Sequence, residues 1–170
     1  MSFKYKSGGQ VSDSVGLLVS ILVRYPEVGT VNVEQDDQIL RLTFFLFKGI
    51  NSIEDHRETI IDSLQLFNQF EGRVCRVCDL SLHLEEGLIS IEVKRDIETF
   101  TQNELNLIVD LLSQFFPDSL VADPSEDMPE EELLMQEEMI RHMLDNIRSK
   151  RLDKNVVALR EDGRVLVFNK

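Results

Sequence analysis

Two cysteines have the spacing of a known chemical motif. Cys75 and Cys78 enclose two residues, and this C-x-x-C spacing occurs in redox pairs and in half-sites for zinc. The residues around them predict a strand, in which side chains three positions apart point to opposite faces. The sequence has no second such pair, and His56, His83 and His142 lie far away along the chain. We therefore favour two ordinary buried thiols over redox or metal chemistry.

Two other groups of polar residues have spacings that permit chemistry. Glu138, His142 and Asp145 share one face of a predicted helix and would be near enough to hold a metal ion. We favour the alternative that they are solvated side chains with a weak interaction along the helix. The second group is a polar strip on the predicted sheet, where a small-molecule site would lie. Its members are Arg41, Thr43, Asp79, Ser81 and His83.

The common catalytic motifs are missing from the sequence. It contains no nucleophile elbow, no H-E-x-x-H zinc motif and no dinucleotide fingerprint. Carboxylates are so numerous that no pair stands out for acid–base catalysis. The sequence therefore favours a non-catalytic protein and indicates no cofactor and no metal.

The overall charge restricts the classes of partner. The chain of 170 residues has a net charge of −13, which disfavours nucleic acids and anionic membranes because both require clustered Lys and Arg. No segment approaches the roughly 18 to 20 consecutive apolar residues that span a bilayer. A chain with only two cysteines suits a reducing compartment. We expect a cytoplasmic protein.

The charges are unevenly distributed in the last third of the chain. Residues 117–138 contain nine acids and no base, whereas residues 139–170 contain eight bases and four acids. Such asymmetry is informative about association rather than about a reaction. Prolines at both ends of 117–129 predict an acidic linker. It would separate a core domain at 1–116 from a C-terminal appendage at 130–170.

Helical and β-strand patterns alternate within the predicted core domain. Hairpins are predicted over 28–47 and 74–95, between three helices, with Thr101 and Glu104 forming a capping box on the third. This order predicts an α+β fold, with an antiparallel sheet of four or five strands and helices on one face. A strand at Phe3–Lys6 would complete a ferredoxin-like order, and the alternative is a duplicated helix-and-hairpin unit.

One face of the predicted sheet is not consistently polar. Alternation along the strands places an uncharged apolar set on one face, which we assign to the core under the helices. The opposite face is mostly polar, but it also carries Phe45 and Phe47. Exposed aromatic clusters are uncommon in soluble proteins. We therefore expect this face to be partly covered, either by the C-terminal tail or by a second copy of the chain.

The tail itself has two apolar elements. A long amphipathic helix over about 129–150 carries Met135, Met139 and Met143, and methionine suits adaptable contact surfaces. We favour docking of this helix on the domain's own sheet. The terminal hairpin is apolar on both faces. We place Val157 and Leu159 with Val165 and Val167 on one face, and Val156, Leu166 and Phe168 on the other.

These features predict a function through binding. The favoured interpretation is a non-catalytic module that binds a protein or itself, as a homodimer, through the C-terminal helix and hairpin. The alternative is a small-molecule-binding regulatory domain or an enzyme. The predicted partner-binding residues are Phe45, Phe47, Met135, Met139, Met143, Val165 and Val167.

Overall fold

Each β-hairpin of the structure follows a helix. The computed structural model describes residues 12–47, 53–124 and 127–169. The elements in chain order are α1 (Asp13–Arg24), β1 (Val28–Glu34), β2 (Ile39–Phe47), α2 (Ile53–Phe70), β3 (Cys78–Glu85), β4 (Leu88–Asp96), α3 (Gln102–Phe115), α4 (Glu130–Lys150), β5 (Val156–Glu161) and β6 (Arg164–Asn169). The predicted strand at Phe3–Lys6 lies outside the described residues, so the ferredoxin-like order stays a prediction.

The six strands form one antiparallel sheet in the order β3-β4-β2-β1-β5-β6. This confirms the α+β class and the antiparallel sheet, but the expected count of four or five strands is wrong. The C-terminal hairpin does not stand apart from the sheet, because β5 pairs with the edge of β1 that β2 leaves open. Val31 pairs with Ala158 and Val33 with Val156 in this register. The division of the chain into a core domain and a C-terminal appendage, with a linker at residues 117–129, stays a prediction.

All four helices contribute to one continuous core over what we call the inner face of the sheet. Residues of this face, such as Val31, Leu42 and Phe44, are fully buried together with Leu18 of α1 and Ile108 of α3. The two-residue alternation that predicted this face is thus confirmed. The exception is Leu84, which is 77% exposed near the end of the edge strand β3.

Side-chain caps begin two of the helices, at Ser12, whose hydroxyl is a typical cap in the sequence, and at the predicted cap Thr101. The hydroxyl of Ser12 accepts a hydrogen bond from the Val15 backbone N–H at 3.2 Å, and that of Thr101 accepts one from Glu104 at 3.2 Å. Both satisfy amide groups that a first helical turn leaves without partners. Apolar periodicity in the sequence also predicts burial of Phe70, but this last residue of α2 is 82% exposed.

The C-terminal helix packs on another helix. The buried residues Ile140, Met143, Leu144 and Ile147 lie in the common core, and α4 runs along α1. Two polar contacts join α4 to α1: Glu137 pairs with Arg24 at 2.8 Å, and Asn146 contacts Asp13 at 3.4 Å. The close backbone contacts of α4 are with α1 and α3, and its expected docking on the sheet stays a prediction. Among the described residues, no helix is long and apolar enough to cross a membrane.

Candidate interaction surface

The face of the sheet opposite the helices carries a compact apolar group at one end. In the β5–β6 hairpin, Val157 pairs with Phe168 and Leu159 with Leu166. We call these four side chains the outer block. Phe168 is 51% exposed, and the other three are half-buried. Two cross-strand apolar pairs on a face without a described helix form a candidate contact surface.

The register of this hairpin differs from the one expected. Val165 and Val167 pack against the core on the inner face, so they are not on the same face as Val157 and Leu159. The turn sets this register, because Glu161 pairs with Arg164 around Asp162 and Gly163. A role for Val165 and Val167 in partner binding stays a prediction. The outer-block residues Leu166 and Phe168 were not among the predicted partner-binding residues, although their alternation along the strand is visible in the sequence.

The two phenylalanines expected on the outer face have different surroundings. Phe45 is half-buried and covers Gly29 of β1, where a Cβ atom would lie only 2.4 Å from Cε2 of the ring. A glycine in one strand thus accommodates an aromatic ring of the next. Phe47 is 56% exposed, and its backbone N–H donates to the carbonyl oxygen of Ser119 at 3.0 Å. Part of the predicted linker therefore runs beside the end of β2.

The methionines of α4 are divided between two environments. Met143 is buried in the core, whereas Met135 and Met139 are 54% and 43% exposed. Leu134 is also exposed, at 55%. Leu134, Met135 and Met139 are thus three exposed apolar residues of α4, remote in sequence from the outer block. The use of Met135 and Met139 in partner binding stays a prediction.

The charged members of the polar strip are engaged in internal ion pairs. Arg41 contacts Glu34 and Glu92, each at 2.6 Å, and Arg57 of α2 contacts Asp79 at 2.9 Å. Hydrogen bonds to Glu34 raise the pKa of Arg41 against the opposing effect of burial. Because these charges already have partners, the strip offers little unpaired charge for a small ligand.

The strongest charged cluster is buried in the core and was not recognised in the sequence. Arg95 donates to both carboxylate oxygens of Glu104 and to Asp96, and all three side chains are fully buried. Asn68 of α2 also donates to Glu104, at 2.8 Å. Glu104 therefore joins two helices and β4 instead of completing the predicted capping box. The run of three charged residues, Lys94, Arg95 and Asp96, at a strand end was the available signal.

This cluster favours the charged states of Arg95 and Asp96. Burial alone would lower the pKa of Arg95, but hydrogen bonds from its guanidinium group to Glu104 and the negative charge there raise it. Burial would raise the pKa of Asp96. Hydrogen bonds from the Val77 backbone and from Thr99, together with the charge of Arg95, outweigh the effect of burial. The pKa of Asp96 is therefore lowered. Such a closed set of partners is typical of a structural ion pair.

The two cysteines are not both in a strand, contrary to the prediction. Strand β3 begins only at Cys78, so Cys75 lies in irregular structure before it. Desolvation raises the pKa of Cys75, and it raises the pKa of Cys78 to about 12. Both are free thiols and half-buried. Raised pKa values favour the protonated form, which is a weak nucleophile.

The candidate metal residues of α4 do not form a coordinating group. Glu138 pairs with Arg141 at 2.8 Å and Asp145 with Arg148 at 3.0 Å. His142 is exposed and lies 3.4 Å from Asn146. Within the part of the chain that the structure describes, no three His, Cys, Asp or Glu side chains are placed to hold a metal ion.

Comparisons of the chain with protein-family models, with curated proteins and with solved structures find no match. The contacts within this chain therefore carry its functional interpretation.

Proposed function

We propose that this is a non-catalytic cytoplasmic protein that works by binding protein, and that it associates with a second copy of itself through the outer block. The single observation that carries the proposal is the pairing of Val157 with Phe168 and Leu159 with Leu166 on the side of the sheet away from the helices. Burial of such apolar area is the main favourable term in protein association. The tail would thus contribute its hairpin to the contact, while α4 supports the hairpin through α1.

The charge distribution supports a second copy as the occupant. Each chain carries a net charge of −13, so two copies repel at long range. In a two-fold symmetric contact the same patch lies on both sides, and any charged residue within it would face a like charge or need a partner. The outer block contains no charged side chain, and its neighbours in β1, Thr30 and Asn32, are neutral. Contact through this patch therefore avoids like-charge repulsion at short range.

Light scattering at micromolar concentrations tests this proposal. The unmodified chain is expected to have the mass of a dimer, with association strengthened by salt because salt screens the mutual repulsion. Leu166→Lys places a charge in the outer block and should produce a monomer of unchanged fold. Phe70→Lys is the matched control, because this phenylalanine is exposed at the end of α2, and it should leave the mass unchanged.

A monomer at every concentration and salt condition would exclude self-association through this surface. A dimer that Leu166→Lys and Phe70→Lys leave equally intact would show that the contact lies elsewhere, for example at Met135 and Met139. Circular dichroism of each variant verifies that its fold is retained. These controls separate loss of association from loss of folding.

A small-molecule function is the second candidate, and one cleft supports it. This cleft has a volume of about 520 Å³ and is lined by Arg76, Arg148 and Arg151 together with Asp36, Asp37 and Glu98. The volume lies within the range of small-molecule sites. The charges are balanced, and Arg148 is held by the backbone carbonyls of Ile97, Glu98 and Phe100. A thermal-shift screen with anionic and zwitterionic metabolites tests this candidate, since a ligand of the folded state raises the Tm.

A further inference from the structure

A second and larger groove lies where α1 ends, α4 begins and the β5–β6 hairpin turns. Its volume is about 1020 Å³, and its apolar lining includes Val23, Met128, Leu133 and Val165. It is not part of the outer block, so its occupancy is independent of the proposed self-association. Both apolar and charged side chains line the groove, and we call the apolar ones its floor and the charged ones its rim.

The rim of this groove is strongly acidic. Five carboxylates and two guanidinium groups line it, which leaves three net negative charges. Both arginines are already engaged. Arg160 donates to the backbone carbonyl oxygens of Leu22 and Val28 and lies 3.6 Å from Asp123, whereas Arg24 pairs with Glu137 outside the lining. The five lining carboxylates are Glu27, Asp123, Asp127, Glu132 and Asp162.

A groove of this kind fits an extended segment with alternating apolar and cationic side chains. In an extended chain, successive side chains point to opposite sides. One side would then contact the apolar floor while the other reaches the carboxylates of the rim. An anionic or purely apolar segment would lose one of these two contributions.

The chain itself contains such a segment immediately before α1. Phe3, Lys4, Tyr5 and Lys6 alternate aromatic rings with lysines, and they belong to the residues that lie outside the described part. They are joined to the start of α1 at Ser12, whereas the groove is at the other end of that helix. The 12 residues of α1 span about 18 Å at 1.5 Å per residue.

The intervening residues are long enough to cover this distance. Six Cα-to-Cα steps separate Lys6 from Ser12, and an extended chain advances about 3.3 to 3.6 Å per residue, or about 20 Å in total. Lys6 can therefore reach the groove by running beside α1, and Phe3 to Tyr5 would then lie within it. The fit in length adds a second argument to the match in charge.

We propose that residues Phe3–Lys6 bind in this groove of the same molecule. The lysines contact the carboxylates of the rim, and the rings of Phe3 and Tyr5 pack on Val23, Leu133 and Val165. The segment would then hold α1, the start of α4 and the terminal hairpin together. A segment released from the groove would leave an acidic docking site for a cationic peptide.

Fluorescence offers a selective test, because the sequence contains no tryptophan. Tyr5→Trp in the full-length chain introduces a single reporter. Its emission is expected to be blue-shifted and protected from acrylamide quenching. Adding Asp127→Lys and Asp162→Lys should shift the emission to that of a solvent-exposed indole. Adding Asp62→Lys, a control on the exposed side of α2, should leave it unchanged.

Two further measurements complete the test. Trypsin cleavage after Lys4 and Lys6 in the chain without Trp should be slow, and Asp127→Lys with Asp162→Lys should accelerate it several-fold. Dilution should leave the fluorescence unchanged, because the contact is intramolecular. A reporter that is solvent-exposed in every variant, with trypsin cleavage equally fast in each, would overturn the proposal. Protection lost on dilution would also overturn it and assign the groove to the segment of a second copy.

Discussion

Arg95 and Glu104 form a two-pronged ion pair inside the core, with Nε of the arginine 2.6 Å from one carboxylate oxygen and Nη2 2.9 Å from the other. The pair connects the end of β4 to the first turn of α3, and both side chains are fully inaccessible to solvent. Charges are costly to bury unless their partners are complete. This geometry therefore specifies how α3 docks on the sheet, since a displaced helix would leave both charges unpaired.

Removing one charge of this pair should strongly destabilise the fold. Glu104→Gln leaves Arg95 with reduced compensation in a buried site, and we expect a loss of about 3 to 5 kcal/mol in the free energy of unfolding. Urea denaturation measures this change. The matched control is Glu138→Gln, whose exposed pair with Arg141 should contribute less than about 1 kcal/mol. Similar losses in the two variants would contradict the structural role of the buried pair.

Because the ring of Phe45 lies against Gly29, we expect a larger residue at position 29 to destabilise the fold. Gly29→Ala introduces a Cβ atom 2.4 Å from the position of Phe45 Cε2, so the ring must move. We expect a loss of about 1 to 3 kcal/mol in unfolding free energy, as is typical of overpacking.

A double-mutant cycle isolates this effect. Phe45→Ala removes the ring, and Gly29→Ala introduced into that background should cost little or stabilise the strand, since glycine is unfavourable there. Thermal unfolding of the two single variants and the double variant provides the energies. Additive losses in the double variant would show that the two residues do not interact.

We predict that the folded chain loses stability at alkaline pH as Tyr25 ionises. Burial of its ring disfavours the phenolate and raises the pKa from 10.0 to about 12. Because the pKa of the folded state is the higher one, the stabilisation is fully present below about pH 10 and is lost as the pH rises toward 12. In Tyr25→Phe, the decline between these values should be less steep by about 1.4 kcal/mol per pH unit.

Urea titrations at several pH values measure this slope. Cys78 also has a pKa raised to about 12, so part of the alkaline decline should persist in Tyr25→Phe. The substitution also removes the hydroxyl that accepts from Gln102 at 2.6 Å and donates to Asn106. It should therefore cost about 1 to 2 kcal/mol at neutral pH. An unchanged alkaline slope would argue against a buried, neutral Tyr25.

Adjacent valines in β5 test which face of the C-terminal hairpin belongs to the core. Val156 is fully buried and points inward, whereas Val157 is half-buried and lies in the outer block. Val156→Ser should cost about 2 to 3 kcal/mol through lost packing and a buried hydroxyl. Val157→Ser should cost under about 1 kcal/mol. Chemical denaturation at low protein concentration, where the chain is monomeric, compares the two, and the opposite order would refute the register of this hairpin.

The sequence by itself determined the local elements. The two-residue alternation of Leu40, Leu42 and Phe44 identified the inner face, and the side chains of Ser12 and Thr101 located helix starts. These signals act over a few residues, because capping and side-chain periodicity depend on local backbone geometry.

Tertiary structure decided the arrangement of these elements and the surface that they leave open. Pairing of Val33 with Val156, docking of α4 along α1 and burial of Arg95 against Glu104 all join segments whose patterns permit several partners. An apolar strand edge or helix stripe specifies that burial is required, but packing and charge pairing across the whole chain select the partner. The outer block likewise depends on tertiary structure, because the register of the last hairpin places Leu166 and Phe168 on the face opposite the helices.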